Sequence, residues 1–148
     1  MEQSDLKVFL DTNILLDVIS TPDRPCAQAS RIIVQAIRSG YFKGVMTTQS
    51  IVDAAYILSK NAGYPADKFG ELVLSLMGFI NIRAIGQPDI REAILHPTND
   101  LEDDAKCALA EAEGCDIVLT SDRKFLRRNT PSGMLFLHPE EFLNQIRG

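Results

Sequence analysis

Two short apolar runs in this chain each deliver a carboxylate at their C-terminal end. Lys7-Val8-Phe9-Leu10 leads into Asp11, and Ile117-Val118-Leu119-Thr120 leads through Ser121 into Asp122. An acid directly after a buried strand needs a partner, and in open α/β sheets the crevice beyond the strand ends is where ligands bind. Helix-borne acids can join the pair: Asp53, and the group Asp100, Glu102, Asp103 and Asp104. Carboxylates that converge repel one another, and a hard divalent cation removes the conflict. Oxygen-only ligands point to Mg²⁺ or Mn²⁺ rather than zinc, and such an ion suits phosphodiester hydrolysis.

Each acid also has a purely structural explanation. The Asp100–Asp104 group sits where a helix dipole favours negative charge, Asp53 fits the solvated side of an amphipathic helix, and Asp11 can cap a helix. Four basic residues, Arg123, Lys124, Arg127 and Arg128, follow Asp122 in an otherwise acidic chain. They are placed to grip phosphates beside a scissile bond, or to form a solvated turn. Other chemistries lack their parts. There is no GxxxxGK[ST] or GxGxxG loop and no GxSxG elbow around Ser121. Both histidines, His96 and His138, precede prolines and read as surface turn residues, while Cys26, near Arg24, begins an amphipathic helix.

The elements that must position these groups alternate. Strands are expected at 7–10, 43–47, 79–85, 116–120 and 134–137. Helices are expected at 14–19, 26–39, from a cap among Thr47, Thr48 and Ser50 to residue 61 or 62, at 65–77, 88–95 and 100–113, and from Pro139 onward with Phe142, Leu143 and Ile146 inward, with a brief turn of helix near Phe125. Thr12 or Asn13 is placed to cap the first helix, and 20–25, 96–99 and 131–133 carry turn chemistry. The third helix is expected to bury Ile51, Val52, Ala55, Tyr56, Ile57 and Leu58, and the 100–113 helix Leu101, Ala105, Ala108, Leu109 and Ala112. Strand–helix alternation of this kind predicts an α/β sandwich, a parallel sheet of about five strands with helices on both faces. At 148 residues, one domain spanning 1–148 is expected.

A net charge of −5 argues against coating nucleic acid by bulk electrostatics, but not against a nuclease whose metal supplies positive charge locally. Three cysteines without CxxC spacing read as core fillers in a reducing compartment. With no apolar run at the start and none long enough to span a bilayer, the expected location is cytoplasmic, away from membranes.

The combination of Val8-Phe9-Leu10-Asp11-Thr12-Asn13, Asp100-Leu101-Glu102-Asp103, Ile117-Val118-Leu119-Thr120-Ser121-Asp122 with Phe125, and His138-Pro139-Glu140-Glu141-Phe142-Leu143 resembles the PIN-domain family, in particular its small toxin-like, VapC-type members. The resemblance spans essentially the whole chain. It implies a Rossmann-like three-layer sandwich and a Mg²⁺- or Mn²⁺-dependent endoribonuclease. It also implies a site of Asp11, Asp53, Asp103 and Asp122, with Asp11, Asp103 and Asp122 on the metal. Asn13, Thr12, Thr120 and Ser121 fall at the family's supporting polar positions. Asp100 and Asp104 compete with Asp103 for the third place, and Asp53 stands where the family more often has glutamate. The partners it implies are an RNA substrate, an antitoxin protein and a second copy of the chain in a homodimer. Two alternatives stand beside it. One is a non-catalytic PIN-like module that binds RNA or protein. The other is an aspartyl-phosphate protein, against which the Asn at position 13 counts.

Overall fold

The computed structural model describes residues 5–19, 24–61, 63–98, 100–128, 130 and 132–147. Five strands form one parallel sheet: β1 (Lys7–Leu10), β2 (Lys43–Thr47), β3 (Asn81–Arg83), β4 (Ile117–Leu119) and β5 (Leu135–Leu137). Their spatial order is β3-β2-β1-β4-β5, so the chain reverses direction across the sheet between β1 and β4. Val8 pairs with Ile117 and Leu10 with Leu119 at that junction, which sets the C-terminal ends of the two acid-bearing strands side by side. This is the switch-point crevice of a doubly wound sheet.

Helices α1 (Thr12–Ile19), α2 (Ala27–Arg38), α3 (Thr48–Asn61), α4 (Ala66–Met77), α5 (Gln87–Leu95), α6 (Leu101–Ala112), α7 (Arg123–Leu126) and α8 (Pro139–Arg147) connect the strands. The strands read as continuous apolar runs because both faces are covered. Val8, Leu10, Met46, Ile117, Leu119 and Leu137 face a core shared with residues of α1, α2, α3 and α8. Phe9, Val45, Val118 and Phe136 face a second core with Cys107, Leu109 and Ala110 of α6 and Phe125 of α7. These two cores make the three-layer α/β arrangement expected from the strand–helix alternation. At Gly44 in β2 an added Cβ would lie 2.8 Å from Ile37 Cδ1, so the glycine lets α2 lie close on the sheet. Burial pushes the Cys107 and Cys115 thiols up to about 12, which suits the core-filler reading. Among the described residues, no helix is long and apolar enough to cross a membrane.

Several expectations shift once the helices are packed. The third strand shortens to Asn81–Arg83. On α3 the buried apolar residues, among those described, are Ala54 and Leu58, one turn apart, whereas Val52 and Tyr56 are each 64% exposed. The core stripe is narrower than the apolar composition of α3 suggested, and its other apolar residues form a rim. Leu101 and Ala112 of α6 are likewise exposed, and the inward face of that helix carries Asp104 and Lys106 beside Ala105 and Ala110. His138 is half-buried rather than a surface residue. Its Nδ1 accepts the Glu140 N–H at 3.2 Å, so Nε2 carries the proton toward Cys26 Sγ, 3.1 Å away. That contact ties the start of α8 to the start of α2. Of the expected turns, residues 20–23, 99 and 131 lie outside the described residues, as do Ala62 of the third helix and residues 1–4.

Asp17, a buried acid inside the apolar run of α1, has two partners. Arg24 Nε donates to Oδ1 and Ser30 Oγ to Oδ2, each at 2.7 Å, which fastens α1 to α2 and to the segment before it. Asp17→Asn removes the charge from both bonds and is expected to cost about 2 kcal/mol. Thermal denaturation should report that loss, with no change in any activity assayed well below the melting temperature.

Candidate active site

Asp11 sits where β1 ends, with its backbone N–H donated to Leu119 O of β4 at 3.1 Å. The residue is 5% exposed. Thr120 Oγ1 donates to Asp11 Oδ2 at 2.9 Å and itself accepts the Asp122 N–H at 3.0 Å. One hydroxyl thus couples the two strand-end acids. Asn13 does not act as a simple cap; its Oδ1 accepts the Ser121 N–H at 3.4 Å, linking α1 to the loop after β4. Thr12 Oγ1 donates to Ser50 Oγ at 2.8 Å, and the buried Ser50 also bonds Thr47 through both its N–H and its hydroxyl. This polar chain fixes the start of α3 against the start of α1, and Asp53 follows one turn later.

These elements enclose a crevice of about 720 Å³ lined by Asp11, Thr12, Asn13, Asp53, Asp100, Glu102, Asp103, Lys106, Asp122 and Lys124, with Leu16, Val52, Tyr56 and Ile57 as its apolar part. The four acids that the family resemblance assigns to the site, Asp11, Asp53, Asp103 and Asp122, face one space. Thr120 and Ser121 act from behind it through Asp11 and Asn13. The structural roles weighed for the acids are present as well. Asp100 caps α6 by accepting the Asp103 N–H, Asp122 caps α7 by accepting the Lys124 N–H, and Asp53 accepts from Gln49 Nε2. A carboxylate oxygen has room for more than one partner, so a cap and a ligand are compatible.

The contest for the third position divides by helix phase. Asp103 and Asp100 line the crevice, whereas Asp104, about 100° further round the helix, turns to a different cavity. There Asp104 accepts from Thr98 N and Oγ1 and from Arg128 Nη1, the last at 2.7 Å. Burial alone would raise its carboxyl, but the Thr98 and Arg128 hydrogen bonds hold it below the usual range. Asp103 is the opposite case. Burial and then the charge of Asp100 push it up to about 6, against the opposing pull of Lys106 and Arg128. Its carboxylate takes up no donor among the described residues. An acid held in this way favours a proton or a cation.

The basic cluster separates too. Lys124 lines the crevice, and Arg123 and Arg127 are exposed without lining it. Arg128 departs from its expected phosphate-gripping place. Its Nη1 and Nη2 are spent at 2.7 Å on Asp104 and Thr98, and its guanidinium lies 5.5 Å from the Phe125 ring centre. A buried Asp104 needs a fixed countercharge, and Arg128 supplies it.

Lys106 went unnoticed at the sequence level. Its side chain is 6% exposed, and Nζ lies 3.0 Å from Asp11 Oδ1 and 3.4 Å from Glu102 Oε1. Burial would lower the Lys106 ammonium, but the charge and hydrogen bond of Asp11, then Glu102 and Asp103, raise it overall. The signal was available: a lone lysine in the run Ala105-Lys106-Cys107-Ala108-Leu109-Ala110, three residues after Asp103 and four after Glu102.

The PIN domain family profile matches residues 7–124, which takes in all six acids that line the crevice. This chain belongs to the PIN-domain family. A curated relative, Ribonuclease VapC1 of Aquifex aeolicus (strain VF5), is 27% identical over 129 residues, covering 80% of this chain and 83% of that protein. Among solved structures, VapC20 of Mycobacterium tuberculosis, described as a sarcin-ricin loop cleaving toxin, superposes with a TM-score of 0.62 at 13% identity, over 80% of this chain and 92% of that one. A toxin–antitoxin complex from Klebsiella pneumoniae gives a TM-score of 0.62 at 17% identity, over 89% of this chain and 97% of the matched chain. These structures share the fold of this chain.

The family's metal can be set against this PIN site. Oxygen-only donors on Asp11, Asp103 and Asp122, with Asp103 lacking a donor, suit a hard divalent cation. Among the described residues, no three acids, histidines or cysteines are gathered closely enough to hold an ion as they stand. The donor chemistry fits such an ion, with Asp103 half-buried and Asp122 exposed on the same crevice.

Proposed function

We propose that this chain is a metal-dependent endoribonuclease that hydrolyses RNA phosphodiester bonds, and that it is the toxin of a toxin–antitoxin pair. The observation that carries this reading is the meeting of Asp11, Asp53, Asp103 and Asp122 in one crevice at the sheet's switch point, in a chain of the PIN family. Its curated relative is a ribonuclease by name, and one structural neighbour is a toxin–antitoxin complex.

Asp11, Asp103 and Asp122 would hold Mg²⁺ or Mn²⁺, with Asp53 on the facing wall. When bound, the ion supplies Lewis acidity toward the phosphoryl oxygens and a more acidic water. The chain's own residues do the rest. Thr120 keeps Asp11 and Asp122 in register, Asn13 holds the Ser121 loop, and the Thr12–Ser50 bond sets the distance across to Asp53. Lys124 is placed to bind a phosphate at the crevice mouth, and the exposed Tyr56 ring offers a face on which a base can stack. The Val52–Tyr56 rim, apolar and open, suits an antitoxin segment laid across the acids.

Single-stranded RNA incubated with the purified chain should be cut with Mn²⁺ or Mg²⁺ and spared with EDTA. Absence of cleavage under every metal condition would favour a non-catalytic binding module, a reading supported by the short Asp53 and its bond to Gln49. Lys124→Ala is expected to raise KM about fivefold with kcat little changed, and to reduce the salt slope of RNA binding by about one. An unchanged slope in binding assays at several salt concentrations would remove Lys124 from the RNA path.

A further inference from the structure

Lys106 is a cation built into a crevice of acids. As the countercharge of the buried Asp11 it matches Arg128 beside Asp104, but Arg128 lies outside the crevice and Lys106 inside it. On its helix face Lys106 stands one turn after Glu102 and Asp103 and one turn before Leu109 and Ala110, so it marks the boundary between the acids and the core. Lys106 takes up one of the two Asp11 oxygens and fixes a positive charge beside it. Nζ stands 3.0 Å from Oδ1, and the Thr120 hydroxyl stands 2.9 Å from Oδ2.

Sites that use two divalent ions hold them about 3.5–4 Å apart, close enough for one carboxylate to join both. Asp11 is the most buried of the four acids and sits at the junction of β1 and β4, so it is the acid that would have to be shared. An ion on Oδ1 would confront the Lys106 ammonium across a distance too short for water to screen. The exposed Glu102 is the other acid within reach of that ammonium, at 3.4 Å. We infer that Lys106 takes the place of a second divalent ion: the crevice accepts one metal ion, and the fixed ammonium is its second positive charge. This rests on the nuclease reading of the crevice and specifies its cation count.

Mn²⁺ titration of the full chain, followed by the electron paramagnetic resonance signal of free Mn²⁺, tests it. One Mn²⁺ per chain is expected. Lys106→Gln is expected to bind Mn²⁺ about tenfold more tightly, or to take up a second ion, while cutting RNA more slowly at saturating Mn²⁺. Lys106→Arg keeps the charge and should keep the wild-type stoichiometry and affinity. Tighter metal binding with slower cleavage is a combination that mere loss of packing would not produce. Two Mn²⁺ ions per wild-type chain would overturn the inference, and this is readable whether or not Lys106→Gln folds. Identical affinity and stoichiometry in wild type and Lys106→Gln would also overturn it, leaving the nuclease reading intact. One Mn²⁺ bound with no RNA cleavage would uphold the cation count and sink the nuclease reading. No Mn²⁺ bound by any variant would sink both.

Discussion

Asp11→Asn is expected to reduce RNA cleavage at least ~1,000-fold, equivalent to about 4 kcal/mol of lost transition-state stabilisation. The size follows from where the charge sits. Asp11 is the corner at which β1, β4 and α6 meet, bonded to Thr120 at one oxygen and Lys106 at the other. The amide keeps the shape and can still accept from Lys106, but it removes the negative charge that opposes the ammonium and would hold a metal. With Lys106 left in place, the crevice gains positive potential where a divalent cation must bind. Replacing the carboxylate by a neutral acceptor beside Lys106 should lower stability by about 2 kcal/mol, so the fold survives at assay temperature. Circular dichroism alongside the cleavage assay separates the two effects. Equal cleavage by wild type and Asp11→Asn, in a folded variant, would end the proposal that this crevice is catalytic.

Arg128→Ala is expected to act on stability rather than on RNA. Its guanidinium and the Asp104 carboxylate are largely buried, 15% and 6% exposed, and the pair joins the end of α7 to α6 and to Thr98 before it. Removing one partner strands the other, at a cost of about 3–5 kcal/mol. For a chain of this length the melting temperature should fall about 10 °C. Asp104→Ala should cost a similar amount, and the double variant much less than the sum of the two. RNA affinity and its salt slope should be unchanged in Arg128→Ala well below its melting temperature; a slope reduced as in Lys124→Ala would return Arg128 to the RNA path.

The same pair has a pH signature. The Asp104 carboxyl lies below its unfolded value, so the unfolded chain binds the proton more readily. The pair's stabilisation is therefore complete above the ordinary carboxylate value of about 4 and is lost as pH falls through it toward the lower folded value. The gap in melting temperature between wild type and Asp104→Asn should narrow across that acid window and hold steady from there to neutral pH.

Chain-local information was enough for the sheet and for the acids at strand ends. Consecutive apolar residues at 8–10 and 117–119 can only be satisfied by a strand covered on both faces, and the acid that follows such a strand emerges at its C-terminal edge. Asp11 and Asp122 were legible for that reason, and the family resemblance added Asp53 and Asp103. Helix phase was legible only in part. Apolar composition did not distinguish the buried Ala54 and Leu58 from the exposed Val52 and Tyr56, because an apolar residue is tolerated on a crevice rim as well as in a core.

Pairings between charges were beyond the sequence. Four basic residues within the six positions after Asp122 look equivalent as a string, yet Lys124 opens into the crevice while Arg128 is bound to Asp104, 24 positions earlier. Lys106 and Asp11 are 95 positions apart and meet because β1 lies against β4 beneath α6. Strand and helix formation follow from periods of two and 3.6 residues, which a sequence displays directly. Which acid receives which cation depends on distances set by packing among distant segments. By itself the sequence therefore determined that carboxylates would gather at the strand ends. The tertiary structure decided that one of them, Asp11, would meet its countercharge inside the crevice, and that Asp104 and Arg128 would spend theirs outside it.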